Sequence, residues 1–246
     1  MILQSLSKAI REQNYYAVLL EFVIVIAGVV IGFQIQAWNQ DRADRENEGV
    51  YLERLHQDLV QSVCSLRRDV RGVSSWNTRA QRTLDALLNN DPEAEDDSGF
   101  ELIASTRVLT GSLFRATLNE LVNGGQMNLI ADDGLRAQIA EADATFAQLA
   151  DLIDILVAAQ GSFLRDVHSR LRPVPGESHG ITYDFEALAE DEVFLNALGH
   201  ALRITHQNIL WLEEMTKTAD ELRVAVAKKV GDSTEPLDCK QPGAGA

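Results

Sequence analysis

AVLLEFVIVIAGVVIGF, residues 17–33, carries a single ionisable side chain, Glu21, in an otherwise apolar and glycine run. With Ile35 and Ala37 added, the run approaches the roughly 20 residues that a helix needs to cross a hydrocarbon core about 30 Å thick. Backbone polar groups have no water to bond there, so such a segment is helical. The expectation is one transmembrane helix at 17–37, with membrane lipid as its first partner. A cleavable signal would have a shorter core and a small-x-small site, whereas this run continues into Gln34, Gln36, Trp38 and Asn39. It therefore reads as a retained anchor, preceded by a membrane-proximal segment at 1–16. Tyr15 and Tyr16 on one flank and Trp38 on the other fit interfacial anchors.

Orientation rests on basic residues, and Lys8 and Arg11 face Arg42, Arg45 and Arg54 across the span. The reading adopted is N-terminus in the cytoplasm and the large domain outside, in the periplasm or its equivalent, with the span in the cell's inner membrane. Lys8, Arg11, Glu12 and Glu21 cancel, so the formal charge of −15 resides in residues 41–246. That surface repels nucleic acid, which is excluded as a partner.

Past the span, apolar residues recur at threes and fours, the period of one helical stripe. Leu52, Leu55, Leu59, Val63, Leu66, Val70, Val73, Trp76 and Leu84 predict a helix from 50 to about 88. Leu135, Ile139, Ala142, Phe146, Leu149, Ile153, Leu156, Phe163, Val167 and Leu171 predict a second over 133–171, with Asp132 and Asp133 as N-cap candidates. Leu195, Leu198, Leu202, Ile209, Leu212, Ala219, Leu222, Val226 and Val230 predict a third over 191–230. Each rod would be roughly 60 Å long. A shorter, broken element at 100–122 is interrupted at Gly111 and stopped by Gly124 and Gly125, and an acidic loop (89–98) and a Pro-Gly turn (173–180) reverse the chain. The fold class expected is all-α: an N-terminal transmembrane helix, a stalk at 38–49, an elongated antiparallel four-helix bundle at 50–230 and a disordered tail at 231–246. The stalk reads equally as a solvated helix or as a linker hinged at Gly49. Gly72, Gly161 and Gly199 fall inside the long helices, each at a cost of about 1 kcal/mol.

On a helical wheel Ala17, Glu21, Gly28, Gly32 and Gln36 share one face of the span. Small residues four apart allow close approach of two helices in lipid, so this face is the expected helix–helix interface, for self-association or for another membrane subunit. A carboxyl at Glu21 either snorkels to the headgroups or marks an ion path.

The stretch from Leu20 to Gly32, closing on Gln36-Ala37-Trp38-Asn39 and Tyr51-Leu52, resembles a bacterial family of uncharacterised single-span membrane proteins. The resemblance continues in Thr117-Leu118-Asn119-Glu120-Leu121, Gly125, Leu129-Ile130 and Leu135-Arg136, covering about the first 140 residues. It departs at Gln36-Ala37, where an Asn nearer the Trp-Asn pair is expected. The resemblance implies no activity. The second block reads by itself as a packed helix-turn-helix corner, and a small-molecule pocket, if present, is expected at that corner or at the Gly111 kink.

Catalytic motifs are lacking: no phosphate loop, His-Glu-x-x-His, Cys-x-x-Cys or Gly-x-Ser-x-Gly occurs. His200 and His206 fall on opposite sides of a helix, and His56 and Cys64 are two turns apart. Glu213 and Glu214 are adjacent and read as solvated, and Asp151 with Asp154 reads as a wet helix face. The expectation is a non-enzymatic protein without metal or other cofactor. Cys64 and Cys239 are close enough along the bundle for a disulfide clasp, but Pro236 and the terminal Gln-Pro-Gly-Ala-Gly-Ala favour free thiols in a disordered tail. Three roles follow: a homo-oligomeric scaffold or interaction protein, a ligand-sensing bundle similar to chemoreceptor sensors and acting through a partner subunit, or an accessory subunit of an ion-driven complex using Glu21.

Overall fold

The computed structural model describes residues 15–94, 99–177 and 180–239, with the side chains of 15–19, 21 and 94 excepted. The segment 1–14 with Lys8 and Arg11, the side chains of Tyr15, Tyr16, Ala17 and Glu21, and the last residues of the tail from 240 lie outside the described residues. The chain is all-α, with helices α1 (Tyr15–Asn89), α2 (Gly99–Ala104), α3 (Ala116–Asn123), α4 (Asp133–His168), α5 (Phe185–Ala189) and α6 (Glu192–Val230). A two-residue antiparallel pairing of Arg172–Pro173 with Ile181–Thr182 forms the turn after α4. Two compact units divide the chain, residues 1–50 and 51–246.

In the first unit residues 38–49 are helical, the first of the two alternatives for the stalk. In the second unit the stripes of α1, α4 and α6 meet as expected. Leu55, Leu59, Val63, Leu66, Ile139, Phe146, Ile153, Leu212, Leu222 and Val226 form one buried core. Ala80, Leu84, Leu87, Leu102, Val167, Phe194, Leu198 and Leu202 form a second. Between the cores the stripes turn polar, and Gln160, Thr205 and Asn208 are almost wholly buried. They sit at core positions of the heptad, seven residues from Ile153 and Val167, from Leu198 and Leu212, and from Ala201 and Met215 respectively.

The element between α1 and α4 departs from expectation. Its helix breaks over 105–115 rather than kinking at Gly111, so the bundle has three full-length rods and one partly extended strut. The physical reason is that long-helix side chains satisfy the strut's backbone. Asn208 accepts from Leu109 N–H and donates to Leu109 C=O, both at 2.9 Å. Thr205 donates to Ser105 C=O at 2.6 Å, and Gln160 donates to Thr106 C=O. From α1, Asp69 accepts from Ser112 N–H (3.0 Å) and Ser62 from Phe114 N–H (2.8 Å), and at the start of α3 Asp58 accepts from Thr117 N–H (3.0 Å). Buried peptide groups must be paired, and here side chains replace a helix's own ladder. Gly111, at φ +82°, is tightly enclosed: an added Cβ would lie 3.1 Å from Leu66 and Leu212 side-chain atoms. The kink is thus filled by packing and is not an opening.

Helix ends follow their local chemistry. Asp132 caps α4 by accepting from Leu135 N–H at 2.9 Å, and Asp191 caps α6 by accepting from Phe194 N–H at 2.9 Å. Gly231, at φ +75°, ends α6.

The largest correction concerns the tail. Residues 231–239 fold back as a strap, and Cys64 and Cys239 form a disulfide, so the expectations of free thiols and of a disordered segment from 231 fail over these residues. Arg223, 1 % exposed, donates to the carbonyls of Ser233 and Glu235 at 3.2 Å each. Arg67 donates to Leu237 C=O at 3.0 Å. Their shared anchor is Asp220, which accepts from Arg67 at 3.0 Å and from Arg223 at 2.6 Å. The composition of the tail contains no trace of these donors.

Candidate functional site

Three places in the described chain offer chemistry to something outside it. The first is the apolar part of α1. Its best 18-residue window has a mean hydropathy of 1.8, and none of it is buried within the protein. One helix near the N-terminus is thus long and apolar enough to span a membrane. An added Cβ at Gly28 or Gly32 meets no atom within 4 Å, so the backbone on that face is open. Gln36 is exposed on the same face.

The second is a corner at the Tyr51 end of the bundle. Arg54 donates to one Glu120 oxygen at 2.9 Å, and the Tyr51 hydroxyl donates to the other at 2.8 Å. These hydrogen bonds, Tyr51's first and then Arg54's, hold the Glu120 carboxyl below its ordinary pKa, while Glu120 holds the Tyr51 phenol above its own. Nearby, Arg115 pairs with Asp143, and Arg136 donates to Ile130 C=O. Thr117, Leu118, Leu121 and Ile130 are buried. The corner is packed.

The third is a cleft of about 340 Å³ between α1 and α6, beside the strap. Arg67, Val70 and Arg71 form one wall, and Glu213, Thr216, Lys217 and Asp220 the other. On α1 Val70 and Arg71 follow Arg67 by three and four residues, and on α6 Thr216, Lys217 and Asp220 follow Glu213 by three, four and seven, one face apiece. Behind α6, a second groove of about 320 Å³ against α4 is lined by Glu141, Glu214 and Glu221 around the same Lys217. Glu213, read from sequence only as solvated, is a cleft residue, and its neighbour Glu214 pairs with Lys217 at 3.3 Å. The signal available in the sequence was the stripe Glu213, Thr216, Lys217, Asp220 flanking the apolar stripe of α6.

The remaining titratable groups are dispersed. His200 stacks on Phe163 with ring centroids 5.1 Å apart. His168 lies 3.2 Å from the Thr106 hydroxyl, with partial desolvation and then the charge of Arg107 lowering its pKa. His56 approaches Asp232 at 3.3 Å, Cys64 is spent in the disulfide, and Asp151 and Asp154 are exposed. Among the described residues, no group of three or more His, Cys, Asp or Glu side chains is placed to hold a metal ion.

No protein-family model, curated protein or solved structure matches this chain.

Proposed function

We propose that the protein is a non-enzymatic, single-pass membrane protein that self-associates through its span and presents the bundle outside the membrane to a partner. The observation that carries this reading is the wholly uncovered apolar helix. Large side chains such as Leu20, Phe22, Ile24, Ile26, Ile31 and Phe33 are each 46–68 % exposed. Covering the eleven from Leu20 to Ile35 would be worth on the order of 15–30 kcal/mol at roughly 1.5–3 kcal/mol each, more than a typical fold's whole stability of about 5–15 kcal/mol. Something apolar must therefore cover them, and lipid together with a second copy of the helix suffices. The Gly28, Gly32 and Gln36 face, completed in sequence by Ala17 and Glu21, is where backbones approach without obstruction.

The disulfide supports the assigned side. Such bonds persist in oxidising compartments, so a bundle closed by Cys64 and Cys239 fits the periplasmic or extracellular side of the inner membrane. Membership in the uncharacterised single-span bacterial family is part of the proposal, and it gains support from the Tyr51–Glu120 contact, which joins the two blocks that carry the resemblance.

The test uses single cysteines at Gly28 and Gly32 of the full chain in membranes, with the native disulfide intact and Val30→Cys on the opposite face. Expected are oxidative dimer bands from positions 28 and 32 and only weak ones from position 30. Equal bands from all three, or none, would overturn self-association through this face.

A further inference from the structure

We propose that the cleft between α1 and α6 binds a small zwitterion of the α-amino-acid type, carboxylate on Arg71 and ammonium on Glu213. The argument starts from which charges in the cleft are already used. At one end Arg67 and Asp220 pair at 3.0 Å, and each is held again, Arg67 by Leu237 C=O and Asp220 by Arg223. That end is a fixed wall with its charges satisfied. Lys217 is engaged by Glu214.

Two opposite charges remain. Arg71 and Glu213 line the same cleft, and neither has a hydrogen-bond or ion-pair partner among the described residues. They stand at different levels of the two rods. Counting from the Arg67–Asp220 pair along antiparallel rods, Arg71 lies ~6 Å and Glu213 ~10 Å further on. A guanidinium and a carboxylate offset in this way, across an open cleft, leave room for a ligand that carries the complementary charges a few atoms apart. Arg71 offers a planar donor fork suited to a carboxylate, and Glu213 offers acceptors to an ammonium group. Val70 and the Thr216 methyl supply apolar contact between them. The volume is at the small end of ligand pockets, about 300–1,000 Å³.

The field of the molecule narrows the class further. A chain of net charge −15 repels a simple anion over its approach, while the cleft itself mixes Arg67, Arg71 and Lys217 with Glu213 and Asp220, so that both signs of charge are offered at contact. A zwitterion has no net charge to repel, and it gains from both walls. This inference does not depend on self-association in the membrane, since every residue in it belongs to the bundle.

The experiment uses the full chain in detergent micelles. The twenty standard amino acids are screened singly by thermal shift, hits are measured by calorimetric titration, and acetate and methylamine serve as single-charge controls. Expected is at least one amino acid that raises the melting temperature and binds at least tenfold more tightly than either control. Arg71→Gln and Glu213→Gln should each weaken it at least tenfold while leaving the unliganded melting temperature unchanged, because both side chains are exposed and unpaired. No binding by any amino acid, binding indifferent to both substitutions, or acetate binding as tightly as the best amino acid would each overturn the proposal.

Discussion

Asn208 turns both ends of its amide onto a single residue, accepting from Leu109 N–H and donating to Leu109 C=O. Being fully buried, it cannot be replaced there by water. Asn208→Leu should leave the Leu109 N–H and C=O without their partner and destabilise the bundle by roughly 2–6 kcal/mol, at about 1–3 kcal/mol per orphaned group. Urea unfolding of the variant against the parent measures it, and a change below about 1 kcal/mol would mean that the strut rearranges to recover its bonds. Gly161 is a contrasting residue. It lies mid-helix in α4 with open space where a Cβ would go, so Gly161→Ala should stabilise by up to about 1 kcal/mol, read as a higher unfolding midpoint.

Among the elements, α6 depends most visibly on charge at its start. Asp191 accepts from Phe194 N–H, and its other oxygen accepts from Arg170 at 2.7 Å, tying the end of α4 to the beginning of α6. The Arg170 bond first, and the Phe194 N–H second, lower the Asp191 pKa from the ordinary 3.8. A carboxyl depressed by folding adds stability that is complete above its unfolded value and lost as pH falls through the folded one. Asp191→Asn keeps a good capping side chain but removes the titration. Its stability deficit relative to the parent should therefore be largest near pH 5–6 and shrink steadily below pH 4, as equilibrium unfolding at several pH values would reveal; a deficit independent of pH would count against the ion pair. The extended strut makes the complementary point about elements. Residues 105–115, rich in Ser, Thr, Val and Gly, are poor helix formers, and α1, α4 and α6 each hold a side chain that bonds one of their peptide groups.

For the whole molecule, the disulfide closes a loop of 175 residues, joining the strap after α6 to the middle of α1. Cross-links over such separations typically contribute about 2–5 kcal/mol, through a restricted unfolded chain. Reduction under native conditions should lower the unfolding free energy by that amount and leave the helical content unchanged, as followed by circular dichroism with and without reductant. Loss of helix on reduction would instead mean that the bundle cannot stand without its strap. Arg223 and Arg67 contact strap carbonyls directly, so a reduced strap keeps part of its seat.

What the sequence by itself determined is periodic or local. The three long rods were legible because one apolar residue every three or four positions marks a helix face wherever it occurs, and Asp132, Asp191 and Gly231 close helices through bonds to neighbours in the chain. The apolar span was legible for the same reason, since length and hydropathy need no partner. The tertiary structure alone decided the extended strut, the polar layer between two cores, the disulfide and the cleft. Each depends on groups brought together from distant positions, Asn208 to Leu109, Cys239 to Cys64, Arg71 to the wall of Glu213. A polar residue at a core position, as at Gln160, Thr205 and Asn208, identifies no partner until the facing backbone is in place. The same holds for the strap: its composition reads as disordered because the guanidinium groups that bind its carbonyls belong to helices elsewhere in the chain.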